Sequence, residues 1–368
     1  MPKNYQIKKG EPMNEEVKYK PDESGYLSQE DTKSYYSRIG MFCFLLGAIS
    51  FGISLLVSFI ILNFFPWILE NSMLLSIVDY VLSLIAIYCI ATPIAFLAIK
   101  PLPKIRPIKE KMKLSHFLGA LCICFTATQA GTYISSFLIT GVEAITGKTL
   151  TNPIEASLSA GNILMHTILM GIAFPILEEL LFRRLLCERL LALGEKKAII
   201  ISAAIFGLIH GNLFQFAYAF FIGLVLGYVY VKTGKIIYTI IFHCIINLFS
   251  GIFAQIVLSN ITVEELEALI NEILSNPAIF NDPEALWALI APNLVGLILY
   301  VIYSNILMIL STIGIIALLI VVLNKKLSFD QGILQTPKEH RIANFFLTGG
   351  VAAAIGYIVL RFLYSIIS

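Results

Sequence analysis

Residues 294–323 read LVGLILYVIYSNILMILSTIGIIALLIVVL and contain no charged side chain. A helix that crosses a bilayer needs roughly 20 consecutive apolar residues, so this stretch predicts a membrane-spanning helix. Further apolar runs of the same kind lie at residues 40–65, 74–99, 115–140, 161–193, 198–210, 213–231, 236–257 and 343–366. The chain is therefore predicted to be all-α, a polytopic transmembrane helical bundle of about nine spans.

The composition of the chain leads to the same fold class. Hydrophobic residues make up 58% of the sequence and charged residues 14%, with a mean hydropathy of +0.83. A soluble domain does not carry this much apolar surface, so the lipid bilayer is the predicted surrounding. A formal net charge of +2 gives no basis for a nucleic-acid partner. The six cysteines form no CxxC pair, which argues against a disulfide framework or a thiolate zinc site.

The distribution of Lys and Arg predicts the orientation in the membrane, because cytoplasmic loops are enriched in these residues. Basic residues concentrate in the connections 100–114, 183–197, 232–235 and 324–342, whereas the alternate connections have one or none. Nine spans with a cytosolic N-terminus and an external C-terminus satisfy this pattern. High usage of Ile, Lys and Asn favours a bacterium, so the expected location is a multi-pass protein of the bacterial plasma membrane.

The apolar runs and charged connections divide the chain into five predicted regions. These are a polar cytosolic tail (1–39), an N-terminal transmembrane pair (40–114), a transmembrane core (115–257), an extracytoplasmic loop (258–293) and C-terminal transmembrane helices (294–368). In the loop, Thr262 and Glu265 have the spacing of a capping box, followed by apolar residues at helical intervals. This pattern predicts an amphipathic helix on the outer face.

Ionisable residues inside membrane spans are costly and need a partner or a function. The stretch EELLFR places Glu179 four residues before Arg183, which is the favoured direction for an ion pair on a helix. Glu178 points about 100° away and its own i+4 neighbour is Phe182, so no local cation neutralises it. Glu178 is therefore the carboxylate predicted to accept a proton as a general base.

Two further stretches place polar side chains one helical turn apart inside spans. They are FGLIH, from Phe206 to His210, and HCIIN, from His243 to Asn247. Counting about 1.5 Å per residue from the turn near Gly194 puts Glu179 and His210 both roughly 23 Å above it. The same count from the next cytosolic turn puts His243 and Asn247 about 14 and 20 Å up. Three helices are thus predicted to bring two acids, two histidines and an amide into one layer.

Each of these motifs has a structural interpretation when it is taken alone. A buried Glu–Arg pair often holds a bundle together, and a single His or Asn in a span often only bonds a neighbouring helix. His166 and Asp79 lie in spans without a matched companion and are interpreted as packing residues, and Arg361 as a side chain that reaches the membrane surface. Other protease signatures are missing, since the sequence has no HExxH, no GxSxG and no pair of intramembrane aspartates.

The three motifs together resemble the CPBP family, which comprises CAAX prenyl proteases and bacteriocin-processing enzymes, also called the Abi or type II CAAX endopeptidase family. Its pattern is EExxxR, then FxxxH, then HxxxN, on separate transmembrane helices, and all three are intact here. The resemblance covers residues 115–255 and implies hydrolysis of peptide bonds in membrane-associated proteins or peptides. The implied site residues are the catalytic set Glu178, Glu179, Arg183, His210, His243 and Asn247, with Phe206 lining the substrate site.

The resemblance leaves two mechanisms open. In one, Glu178, His210 and His243 hold a zinc ion whose bound water attacks the peptide bond. In the other, which needs no metal, Glu178 and His210 activate water while His243 and Asn247 stabilise the oxyanion. Two rival functions also remain: a non-enzymatic bacteriocin-immunity or membrane scaffold protein with the same bundle, and a transporter. The clustering of polar residues in one layer favours a reaction site over a transport path.

Overall fold

The computed structural model describes residues 5–6, 19, 27–153, 163–334 and 348–367. Apart from a two-residue antiparallel pairing of Tyr5–Gln6 with Arg106–Pro107, the described chain is helical, which confirms the all-α prediction. The helices are α1 (Gln29–Phe64), α2 (Ser72–Ile99), α3 (Leu114–Thr146), α4 (Ile163–Leu193), α5 (Glu195–Leu208), α6 (Leu213–Thr233), α7 (Ile236–Leu258), α8 (Val263–Ser275), α9 (Pro283–Leu323) and α10 (Gly349–Ile367).

Within the described residues, eight of these helices are long and apolar enough to cross a membrane. The predicted span at 198–210 is not among them, because α5 has 14 residues and therefore extends about 21 Å at 1.5 Å per residue. This is short of the roughly 30 Å hydrocarbon core. The nine predicted spans thus become eight helices of spanning length and one short helix, while the orientation stays a prediction. The protein is a multi-pass helical membrane bundle.

Helix α1 begins at Gln29, well before the start expected at residue 40. The Ser28 hydroxyl accepts a hydrogen bond from the Asp31 backbone N–H at 3.0 Å and so caps the helix. The first turns are packed, since Tyr35 is fully buried and donates its hydroxyl hydrogen to the Arg189 carbonyl at 2.5 Å. The last part of the predicted polar tail therefore belongs to the bundle; residues 1–4, 7–18 and 20–26 lie outside the described chain.

The connection between α7 and α9, which is predicted to be extracytoplasmic, contains the predicted amphipathic helix, α8. Thr262 caps it by accepting a bond from the Glu265 N–H at 3.1 Å, and the Glu265 carboxylate accepts one from the Thr262 N–H at 2.8 Å. Both bonds of the predicted capping box are therefore present. Leu269 is buried on the inner side of this helix.

Helix α6 is the most buried of the spanning helices and packs against α3, α5 and α7. Small residues allow the close contact with α5: a methyl group added at Gly207 would lie 2.7 Å from the Phe216 carbonyl oxygen, and Gly223 lies against Ala203. This packing holds α5 between α4 and α6. Antiparallel contacts between α4 and α7 complete the arrangement that surrounds the predicted polar layer.

Helices α4 and α7 are interrupted by π-helical turns close to this layer. They cover Leu169–Ala173 and Leu180–Cys187 in α4 and Leu248–Phe253 in α7. Such turns add a residue to the helical repeat, rotate the side chains that follow and occur frequently at functional sites. The two glutamates Glu178 and Glu179 lie on the short α-helical segment between the two π-helical turns of α4.

Candidate active site

The centre of the polar layer is a fully buried ion pair between Glu179 and Arg183. Arg183 Nε lies 3.0 Å from Glu179 Oε2, and its Nη2 lies 3.5 Å from Oε1. The guanidinium also donates from Nη1 to the Ser202 hydroxyl of α5 at 3.1 Å. The predicted i,i+4 pair is therefore present and joins α4 to α5. A buried charge keeps its ionised form when an opposite charge and hydrogen bonds replace water in this way.

His243 on α7 lies between the two glutamates of α4. Its Nδ1 is 3.2 Å from Glu179 Oε1, and its Nε2 is 3.4 Å from Glu178 Oε2. A carboxylate oxygen only accepts hydrogen bonds, so Nδ1 carries the hydrogen that faces the ionised Glu179. A second proton can then lie between Nε2 of His243 and the Glu178 carboxylate. The imidazole and Glu178 together form a pair that can take up one proton.

His210 on the turn after α5 is oriented by its own helix. Its Nδ1 lies 2.8 Å from the Phe206 carbonyl oxygen, which can only accept, so Nδ1 carries a hydrogen. In the neutral form of this ring, Nε2 carries an unshared electron pair. The Phe206 ring separates the two histidines, with centroid distances of 5.3 Å to His210 and 5.6 Å to His243. Phe206 thus fixes the spacing between the two imidazoles.

Asn247 fills a gap in the hydrogen bonding of α4. The Phe174 N–H bonds the Leu169 carbonyl in the π-helical turn, and the next residue, Pro175, has no N–H to offer the Met170 carbonyl. Asn247 Nδ2 donates to this carbonyl at 3.0 Å. One amide hydrogen of Asn247 remains after this bond.

The structure brings Glu178, Glu179, Arg183, Phe206 and His243 into one connected cluster. His210 joins it through the Phe206 ring, and no hydrogen bond links Glu178 to His210 among the described residues. The carboxylate of Glu178 instead faces His243. Glu179, which the spacing assigned to Arg183 alone, is shared between Arg183 and His243.

Two residues with a role at the site were missed from the sequence. Ser202 accepts from Arg183 and anchors the buried guanidinium to α5. The Met170 carbonyl receives Asn247, and the sequence signal for this bond was Pro175, whose missing N–H leaves a carbonyl unsatisfied in the preceding turn. His166, interpreted as a packing residue, is buried away from the cluster and bonds Gln255 Oε1 through Nδ1 at 3.0 Å.

The residues of the cluster fit the zinc hypothesis in their chemistry but not in their present arrangement. Both histidines have Nδ1 bonded to an oxygen, which is the support commonly seen behind a zinc-bound imidazole. Yet no group of three or more His, Cys, Asp or Glu side chains in the described chain is close enough together to hold a metal ion. Zinc therefore remains a prediction, and no reaction step is assigned to it.

Comparison with known proteins gives a family match over the stretch that carries the three motifs. Residues 160–249 match the family model of type II CAAX prenyl endopeptidases described as Rce1-like. The predicted family resemblance is confirmed. The Rce1-like segment contains all three motifs and ends two residues after Asn247.

A second comparison concerns a bacterial protein. The UPF0177 protein YxdF of Lactococcus lactis subsp. lactis (strain IL1403) is 29% identical over 125 residues, which is 34% of this chain and 70% of that protein. No solved structure gives a significant match. The Rce1-like segment covers helices α4, α5 and α6 and the first part of α7, so α1–α3 and α8–α10 lie outside the family match.

Proposed function

We propose that the protein is an intramembrane endopeptidase that hydrolyses peptide bonds of membrane-associated proteins or peptides. The observation that carries the proposal is the contact of Glu178 with His243 inside an Rce1-like segment. A partly exposed carboxylate next to an imidazole is suited to general-base catalysis, whereas Glu179 is already neutralised by Arg183.

In the proposed reaction, a water molecule beside Glu178 loses a proton to the Glu178–His243 pair and attacks the carbonyl carbon. Glu179 supports this transfer because it holds Nδ1 of His243 in its protonated form and stabilises the positive charge that the ring gains. The proton then passes from the pair to the nitrogen of the leaving amine. The peptide bond breaks as the new carboxyl terminus forms, so the overall change is hydrolysis.

Two further side chains have the groups that this reaction requires. The unshared pair on Nε2 of His210 can accept the second hydrogen of the attacking water and so orient it. The remaining amide hydrogen of Asn247 can donate to the oxyanion that develops on the substrate carbonyl. In the zinc alternative, Glu178, His210 and His243 would hold the ion, which would supply Lewis-acid stabilisation when bound.

The proposal is tested with the purified full-length protein in vesicles and a library of randomised peptides, with products read by mass spectrometry. A positioned general base contributes about 10²- to 10⁴-fold to the rate, so Glu178→Gln is expected to lower cleavage by that factor. Glu264→Gln, which changes an exposed acid at the start of α8, serves as the matched control and should cleave like the wild type. Equal cleavage by both variants would sink the proposal.

A further inference from the structure

Arg361 on α10 contacts aromatic side chains of α1 and of its own helix. Its guanidinium carbon lies 4.2 Å from the centre of the Phe51 ring and 5.9 Å from that of Tyr364. The guanidinium therefore lies over the Phe51 ring of α1 at a cation–π distance. The interpretation of Arg361 as a snorkelling residue stays a prediction.

The guanidinium of Arg361 packs on the turn that carries His210. Gly211 follows His210 directly and has a positive φ of 66°. A Cβ atom at Gly211 would lie 2.8 Å from Arg361 Nε and 3.1 Å from Nη2. Glycine is required here for two reasons, since another residue would strain the backbone and displace the guanidinium. Arg361 thus occupies the space beside a candidate active-site residue although α10 is outside the family match.

Arg361 carries a positive charge that no described carboxylate neutralises. The described chain places no carboxylate within ion-pair distance of it, and its side-chain neighbours are the aromatic residues Phe51, Tyr357 and Tyr364. A cation among aromatic side chains, with no carboxylate beside it in the described chain, is a candidate binding site for an anion. Arg183, which is fully buried, has Glu179 as its partner.

A cavity of about 210 Å³ lies at this position. Its lining includes the turn residues Gly211 and Asn212, the Arg361 guanidinium, and the hydroxyl-bearing residues Thr151 and Ser365. The volume is below the roughly 300–1,000 Å³ typical of small-molecule pockets. It therefore suits one side chain or the end of a peptide. Guanidinium groups bind carboxylates with two parallel hydrogen bonds, which gives such a site both strength and direction.

We infer that this cavity is a carboxylate-binding subsite in which Arg361 recognises an acidic group of the peptide substrate next to the bond that is cut. The inference rests on the proposed function and adds a specificity determinant to it. The acidic group is either the C-terminal carboxylate of the peptide or an Asp or Glu side chain. Because the guanidinium touches the residue after His210, a bound carboxylate positions the substrate beside the candidate catalytic groups.

The first arm of the test measures kcat/KM with peptide pairs that differ in one carboxylate. One pair compares a free C-terminus with a C-terminal amide, and the other compares internal Asp or Glu with Asn or Gln. Wild-type protein is expected to prefer one carboxylate class by about 10- to 100-fold, the range for a hydrogen bond to a charged group. Arg361→Gln should remove this preference, so that the acidic peptide is cleaved no faster than its neutral counterpart.

Two matched variants control this arm. Arg361→Lys keeps the charge and should retain part of the preference. Lys148→Gln removes an exposed cation at the same end of the bundle, where Lys148 Nζ approaches the Ile367 carbonyl at 3.5 Å, and should behave like the wild type. An equal loss for acidic and neutral peptides in Arg361→Gln, or no loss, would overturn the inference.

The second arm measures binding alone, with Glu178→Gln protein and the same peptides. The subsite is supported if Glu178→Gln protein retains carboxylate peptides preferentially and the double variant Glu178→Gln/Arg361→Gln does not. This result would support the subsite even if no variant cleaves any peptide and the proposed function fails. Absence of this retention overturns the subsite, even if cleavage occurs. Repeating the measurement in phosphatidylcholine vesicles with and without phosphatidylglycerol tests whether Arg361 binds an anionic lipid headgroup instead of a peptide carboxylate. The inference is also overturned if the effect of Arg361→Gln on peptide retention changes with the charge of the lipid and not with the charge of the peptide.

Discussion

The imidazole of His243 contacts Glu179 Oε1 through Nδ1 at 3.2 Å, and this contact ties α7 to the buried ion pair of α4. The same ring faces Glu178 through its other nitrogen at 3.4 Å. The two adjacent glutamates therefore have different roles at one histidine. Glu179 fixes the ring and neutralises Arg183, whereas Glu178 remains available for proton transfer.

This division of roles predicts different consequences for stability. Glu179→Gln leaves the fully buried Arg183 without its counter-charge, and breaking a buried pair in this way costs about 3–5 kcal/mol. Glu178→Gln removes no ion pair with a permanent cation and should change stability much less. Thermal unfolding of the two variants in the same detergent checks the difference. Similar unfolding temperatures would mean that the Glu179–Arg183 pair does not stabilise the bundle.

Asn247 is predicted to contribute more to catalysis than to stability. Replacing it with Ala removes one interhelical hydrogen bond to the Met170 carbonyl, and such bonds in membrane proteins average about 0.6 kcal/mol. Loss of an oxyanion donor lowers kcat by about 10²- to 10³-fold. The measurement is kcat alongside thermal unfolding. Asn305→Ala, which removes an exposed Asn that bonds the Val301 carbonyl within its own helix at 2.7 Å, is the control.

A small change of kcat in Asn247→Ala, together with a large drop in unfolding temperature, would assign Asn247 a purely structural role. The bond to Met170 would then be its whole contribution. The opposite pattern supports the oxyanion role.

The zinc hypothesis makes a separate prediction about metal content. If Glu178, His210 and His243 bind zinc, the purified protein holds one zinc ion per chain, and each of His210→Ala and His243→Ala loses it. Cleavage should stop on chelation and return when zinc is added. Elemental analysis of active preparations checks the stoichiometry. Active protein without zinc would contradict the hypothesis and leave the metal-free mechanism.

Local sequence spacing predicted much of the fold and part of the site. The apolar runs located the helices, the Thr262–Glu265 spacing located a capping box, and the i,i+4 relation located the Glu179–Arg183 pair. These features depend on residues within one or two turns of one another. They follow from helical geometry alone, so one sequence is enough to find them.

The contacts between helices could not be read in the same way. A uniform rise of 1.5 Å per residue placed Glu179 and His210 at one height, but α4 contains π-helical turns on both sides of the glutamates, which change both rise and rotation. His243 consequently faces both glutamates. The contacts of Arg361 with Phe51 and Gly211 could not be predicted for a related reason, because these residues are distant from it in sequence.

The central claim is that Glu178 activates water for peptide-bond hydrolysis, and isotope incorporation tests it most directly. Wild-type protein and Glu178→Gln are incubated with the peptide library in water enriched in ¹⁸O, and new carboxyl termini are analysed by mass spectrometry. Water attack predicts ¹⁸O in every new carboxyl terminus that the wild type forms, and labelled products reduced about 10²- to 10⁴-fold in Glu178→Gln. Labelled products formed at the same rate by both proteins would contradict the claim.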